Sequence, residues 1–445
     1  MGNMTTVQIG AGAGYSGDRI DPAVELARRA DISYLVFECL AERTIALAQL
    51  SRKNNLSPGY DPLLDERMKA VLPICHQKKI KIISNMGAAN PMAAAAQTVA
   101  IARQLGLNGI RVAGVVGDDV LGVIEKFPLE DNGSALSIPP EQIISANAYV
   151  GAEPIVEALA GGADVVITGR TADPSLFLAP LIHEFRWLSN DCKTLGQGTL
   201  IGHLLECAGQ LTGGYFADPG YKDVPNLANL GFPYAEVSEH GGAVITKIEG
   251  TGGMITKATC KEQILYEIQD PAAYVTPDVV ADFSEVVVEE VGKNRVCVSG
   301  AGGRTRPDTL KVSVACRNGY LGEGQISYAG PGALARARLA RDILSERLNH
   351  HVLSELRFDL IGLNSIHGEK LSPMNGEPYE VRLRAIARAE DRCSADRVPR
   401  EVEALYTNGP AGGGGVASST RENIAIYAAL IPRDLVHCQI HCEVS

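Results

Sequence analysis

Polar side chains recur in this chain where buried apolar runs end. Glu38 closes SYLVFECL, Asn85 follows KIIS, Asp118 follows the run from Ile110 to Val116, and Asn147 interrupts IISANAYV. Arg170 and Asp173 lie in Gly169-Arg170-Thr171-Ala172-Asp173-Pro174-Ser175, directly after ADVVIT. A carboxylate placed there can move protons, and a guanidinium can bind a carboxylate or phosphate through two parallel hydrogen bonds. Asn90 and Asp173 each precede a proline, so helix N-capping is the plainer reading of both. Arg170 has no evident packing role beside a glycine after a buried strand. His203 and Glu206, three residues apart on a helix, share one face and suit either an acid/base pair or a surface hydrogen bond.

Glycines supply a second set of candidates. Gly12-Ala13-Gly14-Tyr15-Ser16-Gly17 has the dinucleotide spacing, and Glu38 stands where a ribose-binding acid would. The following helix starts only near Pro22, too late for the third glycine to pack helix on strand. Gly12, Gly14 and Gly17 therefore read as the lining of an anion or thioester pocket, or as a tight turn. An NAD(P)-dependent oxidoreductase is an alternative that this late start disfavours. Gly300-Ala301-Gly302-Gly303-Arg304 is a further glycine turn with a cation, Arg304, beside amides that could cradle an anion. His437, Cys438, His441 and Cys442 are zinc-type ligands by identity, but strand alternation throws the two pairs to opposite faces, so no metal site is expected.

These residues need a frame that brings strand ends together. Thr6 to Ile9, Ser33 to Leu40, Lys81 to Ser84, Ile110 to Val116, Ile143 to Val150 and Ala163 to Thr168 read as strands separated by helical stretches. Continuous apolar runs of this kind fit strands buried on both faces. The alternation predicts an α/β domain over residues 1–190, with a mostly parallel sheet covered by helices on both faces. In such sheets ligands bind at turns beyond the carboxyl ends of the strands. Gly169 to Ser175 is the leading candidate. Beyond about Leu188 the pattern changes to short strands and glycine turns, predicting a mixed α+β second domain over 191–445. After Gly415 a last helix and strand are expected.

Composition narrows the function. Lys and Arg number 41 against 52 Asp and Glu, a formal charge of −11 that disfavours nucleic acid as partner. No apolar run reaches a membrane-spanning length. The ten cysteines are mostly single and in apolar surroundings, as in a cytoplasmic protein with reduced thiols.

Several segments together resemble one family: GAGAGYSGDRIDPAVELA, YLVFECLAERT, ISNMGAANP, ADVVITGRTADPSL, GTGGMITK, DPAAYVTPDVVADF and TNGPAGGGG. They are similar to the acyclic terpene utilisation protein A family, from about Val7 to Val436. The resemblance implies a place in the degradation of citronellol and geraniol through branched acyl-CoA intermediates. It carries no defined reaction or catalytic set. Many relatives bear a small ferredoxin-like module after the equivalent of Val436, or have it as a separate chain, so the resemblance implies a partner that supplies it in trans. Residues and resemblance together point to a homo-oligomeric enzyme acting on a branched carboxylic acid or its thioester by hydration, dehydration or carbon–carbon lysis. Coenzyme A would enter as part of the substrate. Gly12, Gly14, Gly17, Asn85, Asn90, Asp118 and Arg304 would bind it, and Glu38, Asp173, Arg170, His203 and Glu206 would do the chemistry. A non-catalytic acyl-CoA-binding or scaffolding subunit of a carboxylase-type complex is the alternative.

Overall fold

The computed structural model describes residues 6–55, 58–131, 133–349, 353–372 and 376–445. The chain forms two compact units: one of Met1–Ile138, Ile144–Val314 and Ile426–Ser445, the other of Pro139–Ile143 and Ala315–Ala425. Residue 190 falls inside the first unit.

Five parallel strands form the middle of the first unit, in spatial order Thr6–Ala13, Tyr34–Phe37, Lys81–Ser84, Val165–Thr168 and Arg111–Val116. Tyr34–Phe37 shows why such runs carry no alternation. All four residues are buried, Tyr34 and Val36 facing one core and Leu35 and Phe37 the other. The helices Asp21–Arg29, Leu64–Lys78 and Pro91–Gln104 contribute to the second core, while Glu153–Ala160, Asp173–Phe185 and Cys192–Leu205 contribute to the first.

The sheet as a whole is mixed rather than mostly parallel. Pro233–Ser238 pairs antiparallel with Thr6–Ala13, and Ala243–Lys247, Arg295–Ser299 and Val287–Gly292 extend that side as antiparallel neighbours. On the opposite side Gln439–Val444 pairs antiparallel with Arg111–Val116. The short strands of the second half thus add to the first sheet because its edges offer unpaired backbone groups that hairpins can satisfy. The residues after Gly415 are strand, Gly414–Pro432, and not helix. Its Val, Thr, Ile and Tyr content suits a pleated surface.

In the second unit, Ser354–Ile361, Glu380–Ala389 and residues 320–329 form antiparallel ladders. Helices Ala333–Leu348 and Arg397–Asn408 bury Ala337, Leu344, Val398 and Val402 with sheet residues such as Val381 and Leu383. No helix among the described residues is long and apolar enough to cross a membrane.

One packing feature places chemistry directly. Helix Cys192–Leu205 lies against Asp173–Phe185 through glycine: a Cβ at Gly202 would sit 2.5 Å from the Pro174 carbonyl oxygen. This contact sets His203 and Glu206 beside the start of the other helix. Gly202→Ala is expected to cost about 2 kcal/mol through overpacking, read as a lower urea midpoint with an unchanged slope.

Candidate functional site

The loops beyond the five parallel strands are tied to one another. Asn85 accepts from the Cys39 N–H at 2.7 Å and donates to Glu38 Oε1 at 2.9 Å, which also accepts from the Leu40 N–H at 2.8 Å. Asp118 Oδ2 accepts from the Arg170 N–H and from the Asn147 amide, both at 2.9 Å. A Cβ at Gly169 would meet Asp118 Oδ1 at 2.5 Å, so glycine lets that carboxylate reach the turn.

Two adjoining clefts open here, of about 480 and 520 Å³. Glu42, Asp173, Glu206 and Glu267 line both. His203, Tyr149, Tyr274 and Lys311 belong to the first, with apolar Pro174, Val275, Leu310 and Leu430. Gly14, Glu38, Arg19, Tyr215 and Phe232 belong to the second. Glu267 and Tyr215 both have positive φ, +60° and +62°, a conformation that non-glycine residues adopt at a cost and that clusters at functional sites.

Asp173 is not the N-cap of Asp173–Phe185: Ala172 holds that place, without a side-chain cap hydrogen bond, and Asp173 is the first helical residue, ahead of Pro174, where the positive end of the peptide dipoles favours a carboxylate. Arg170 Nη2 donates to Asp173 Oδ1 at 2.6 Å. The guanidinium is fully buried and lies 4.2 Å from the centroid of the Tyr149 ring, with Lys311 at 4.7 Å from the same centroid. The Tyr149 hydroxyl donates to Glu42, which Lys311 approaches at 3.3 Å. On the neighbouring helix end, His203 Nδ1 lies 2.8 Å from Glu206 Oε1.

The sequence matches the family model for acyclic terpene utilisation family protein AtuA over residues 7–442. The chain belongs to the AtuA family. No curated protein matches it.

The carboxyl groups of this AtuA-family site are held in unlike states. Burial, reinforced by the Asp173 charge, pushes Glu38 up to about 8 against the pull of Arg170 and two hydrogen bonds. Burial also raises Asp173 and carries Glu206 well above the carboxylate range, with Asp173 and Glu267 adding to the latter. Glu42 goes the other way: burial opposes its charge, but the Tyr149 hydroxyl, a backbone N–H, Arg170 and Lys311 together hold it at about 2. Burial lowers His203 to about 4. Carboxyls driven apart in acidity within one cleft are the arrangement that assigns acid and base.

Because Glu38 binds its proton more tightly folded than unfolded, the stability it contributes is complete below the ordinary carboxyl range and is lost as pH rises through about 8. Glu38→Gln is therefore expected to flatten the loss of stability between pH 5 and pH 9 by roughly 2–4 kcal/mol, measured by urea unfolding across that range.

The fold brings Glu38, Asp173, His203 and Glu206 to the clefts and gives other candidates different tasks. Arg170 lines neither cleft; its guanidinium is held between Asp173 and the Tyr149 ring. Asn85 and Asp118 hold the strand-end loops in place. Gly14 lines the second cleft, but its N–H donates to Asp18 Oδ2 at 2.9 Å, where a phosphate would have to compete. A Cβ at Gly12 would strike the Phe37 ring at 2.7 Å and one at Gly17 the Tyr15 ring at 2.7 Å, so both serve close packing. Arg304 is exposed, donates to the Ala272 carbonyl and lines neither cleft. Asn90 caps Pro91–Gln104 through the Ala93 N–H at 3.3 Å and donates to the Pro58 carbonyl. Asn90→Ala should cost about 1 kcal/mol in thermal unfolding and leave ligand binding unchanged.

Sequence reasoning missed Glu42, Tyr149, Lys311, Glu267 and Tyr274. Only Tyr149 carried a signal, closing a buried strand beside Asn147. Among the described residues no group of three or more His, Cys, Asp or Glu is disposed to hold a metal ion.

Proposed function

We propose that this AtuA-family chain is an enzyme of acyclic terpene breakdown, moving protons on a branched carboxylic acid or its coenzyme A thioester. The supporting observation is the wall shared by the two clefts, where Asp173 and Glu206 stand with Glu38 on one side and His203 on the other. Asp173, paired with Arg170 and at a helix N-terminus, is the base that takes a proton from the carbon next to the carbonyl. The acids held protonated beside it return a proton to oxygen or carbon, which serves hydration, dehydration or carbon–carbon lysis alike. The apolar lining of the first cleft suits a branched hydrocarbon chain. Lys311 and Arg19, the cationic lining residues of the first and second clefts among those described, would meet the anionic groups.

The test is turnover of branched acyl thioesters and free acids by wild type, Asp173→Asn and Glu42→Gln. Turnover by wild type that Asp173→Asn abolishes supports the reading. Tight binding with no turnover of any thioester or acid would replace it with a non-catalytic binding subunit.

A further inference from the structure

His203 is 1% and Glu206 8% exposed, yet each keeps one polar atom without a partner among the described residues: His203 Nε2 and Glu206 Oε2. A buried polar atom left unpaired is costly, and such atoms in native proteins call for an explanation. The ring is otherwise well fixed. Its centroid lies 5.3 Å from that of Tyr274 and 6.1 Å from that of Phe283, and Gln263 donates to the His203 carbonyl at 3.3 Å. Nδ1 is committed to Glu206, while His203 lines the first cleft.

We infer that His203 and Glu206 form a proton relay, in which Nε2–H donates to an oxygen that gains negative charge on the ligand in the first cleft. This deepens the proposed function and rests on it for the identity of the oxygen. In the resting pair Glu206 carries a proton that it donates to Nδ1, and the one proton of the neutral imidazole sits on Nε2. When the ligand oxygen takes the Nε2 proton, the N–H electron pair stays on Nε2. In the same step the Glu206 proton moves to Nδ1, leaving a carboxylate. One proton leaves the pair, the ring remains neutral throughout, and no imidazolium forms in a site too buried to favour one.

The surroundings agree with this direction. Asp173, Glu267 and Arg170 are the charged groups acting on the pair, with Tyr274 and Cys207 adjoining. Burial lowers His203, outweighing the backbone groups of Gln263 and Ile264 beside the ring and the Glu267 and Asp173 charges, and raises Glu206, so both favour their neutral forms. His203 contacts the ligand in this scheme; Glu206 acts through it as a positioning and proton-holding residue.

The experiment uses the resting, ligand-free protein. Nitrogen NMR of protein labelled at histidine, with His203 assigned by loss of its signals in His203→Asn or by their shift in Glu206→Gln, reads the tautomer. The expected result is a protonated Nε2 and an unprotonated Nδ1, unchanged from pH 8 to pH 5. Infrared difference spectra of wild type minus Glu206→Gln should also show a protonated carboxyl band at pH 7. A protonated Nδ1, an imidazolium forming near neutrality, or absence of that band would overturn the relay. Turnover plays no part in these readouts, so the relay can fail while the acid–base reading of the cleft stands, and the reverse.

Discussion

Asp173→Asn should lower turnover of a branched acyl substrate by about 10²–10⁴-fold, the usual loss when a positioned general base is removed. The substitution is nearly isosteric, and the amide oxygen still accepts from Arg170 Nη2, so the 2.6 Å contact and the start of the helix Asp173–Phe185 survive. The loss should fall on kcat more than on KM, since the carboxylate works on the reacting proton and not on the bulk of the ligand. Glu42→Gln makes the useful contrast. Glu42 is ionised and tied to Tyr149 and Lys311, so its loss should disturb cleft shape and raise KM without removing the base.

The second large effect concerns Arg170. Arg170→Met keeps much of the side-chain volume but removes a fully buried cation whose partners are Asp173 and the Tyr149 face. Breaking a buried ion pair from one side costs about 3–5 kcal/mol. The lower end applies here because the Asp173 side chain is 36% exposed and water can take over part of its solvation. The change should appear as a fall in the urea midpoint. Arg170 also lowers the pKa values of Glu38, Asp173 and Glu206 against burial. Its loss should therefore move the acidic limb of any pH–rate profile to higher pH. Arg304→Met, at an exposed arginine with one hydrogen bond to a backbone carbonyl, should change stability by less than about 0.5 kcal/mol.

The parallel strands could be read from sequence because a run such as YLVF has no polar face to place in water, is too short for a buried helix, and suits a sheet covered on both sides. Asp173 and the His203–Glu206 spacing were legible for a similar local reason: helix geometry alone puts them on a common face or at a helix start. The direction of Arg170 was not legible. It depends on Tyr149 lying beneath the guanidinium, which in turn depends on how Ile143–Ala148 and Asp173–Phe185 are brought together. Lys311 and Glu267 were hidden for the same reason, since each reaches the clefts from a distant segment. The antiparallel flanks escaped because a strand such as PYAEVS alternates like the edge of any sheet, and nothing local says that its partner is Thr6–Ala13.

The proposed function requires the carboxyl wall shared by the two clefts to remove a proton from carbon beside a carbonyl group. The most direct measurement is proton NMR of isovaleryl-CoA incubated with the protein in deuterium oxide. Wild-type protein is expected to exchange the protons next to the thioester carbonyl well above the buffer rate, and Asp173→Asn to return exchange to that rate. Exchange at the buffer rate with wild type, or at the wild-type rate with the variant, would contradict it.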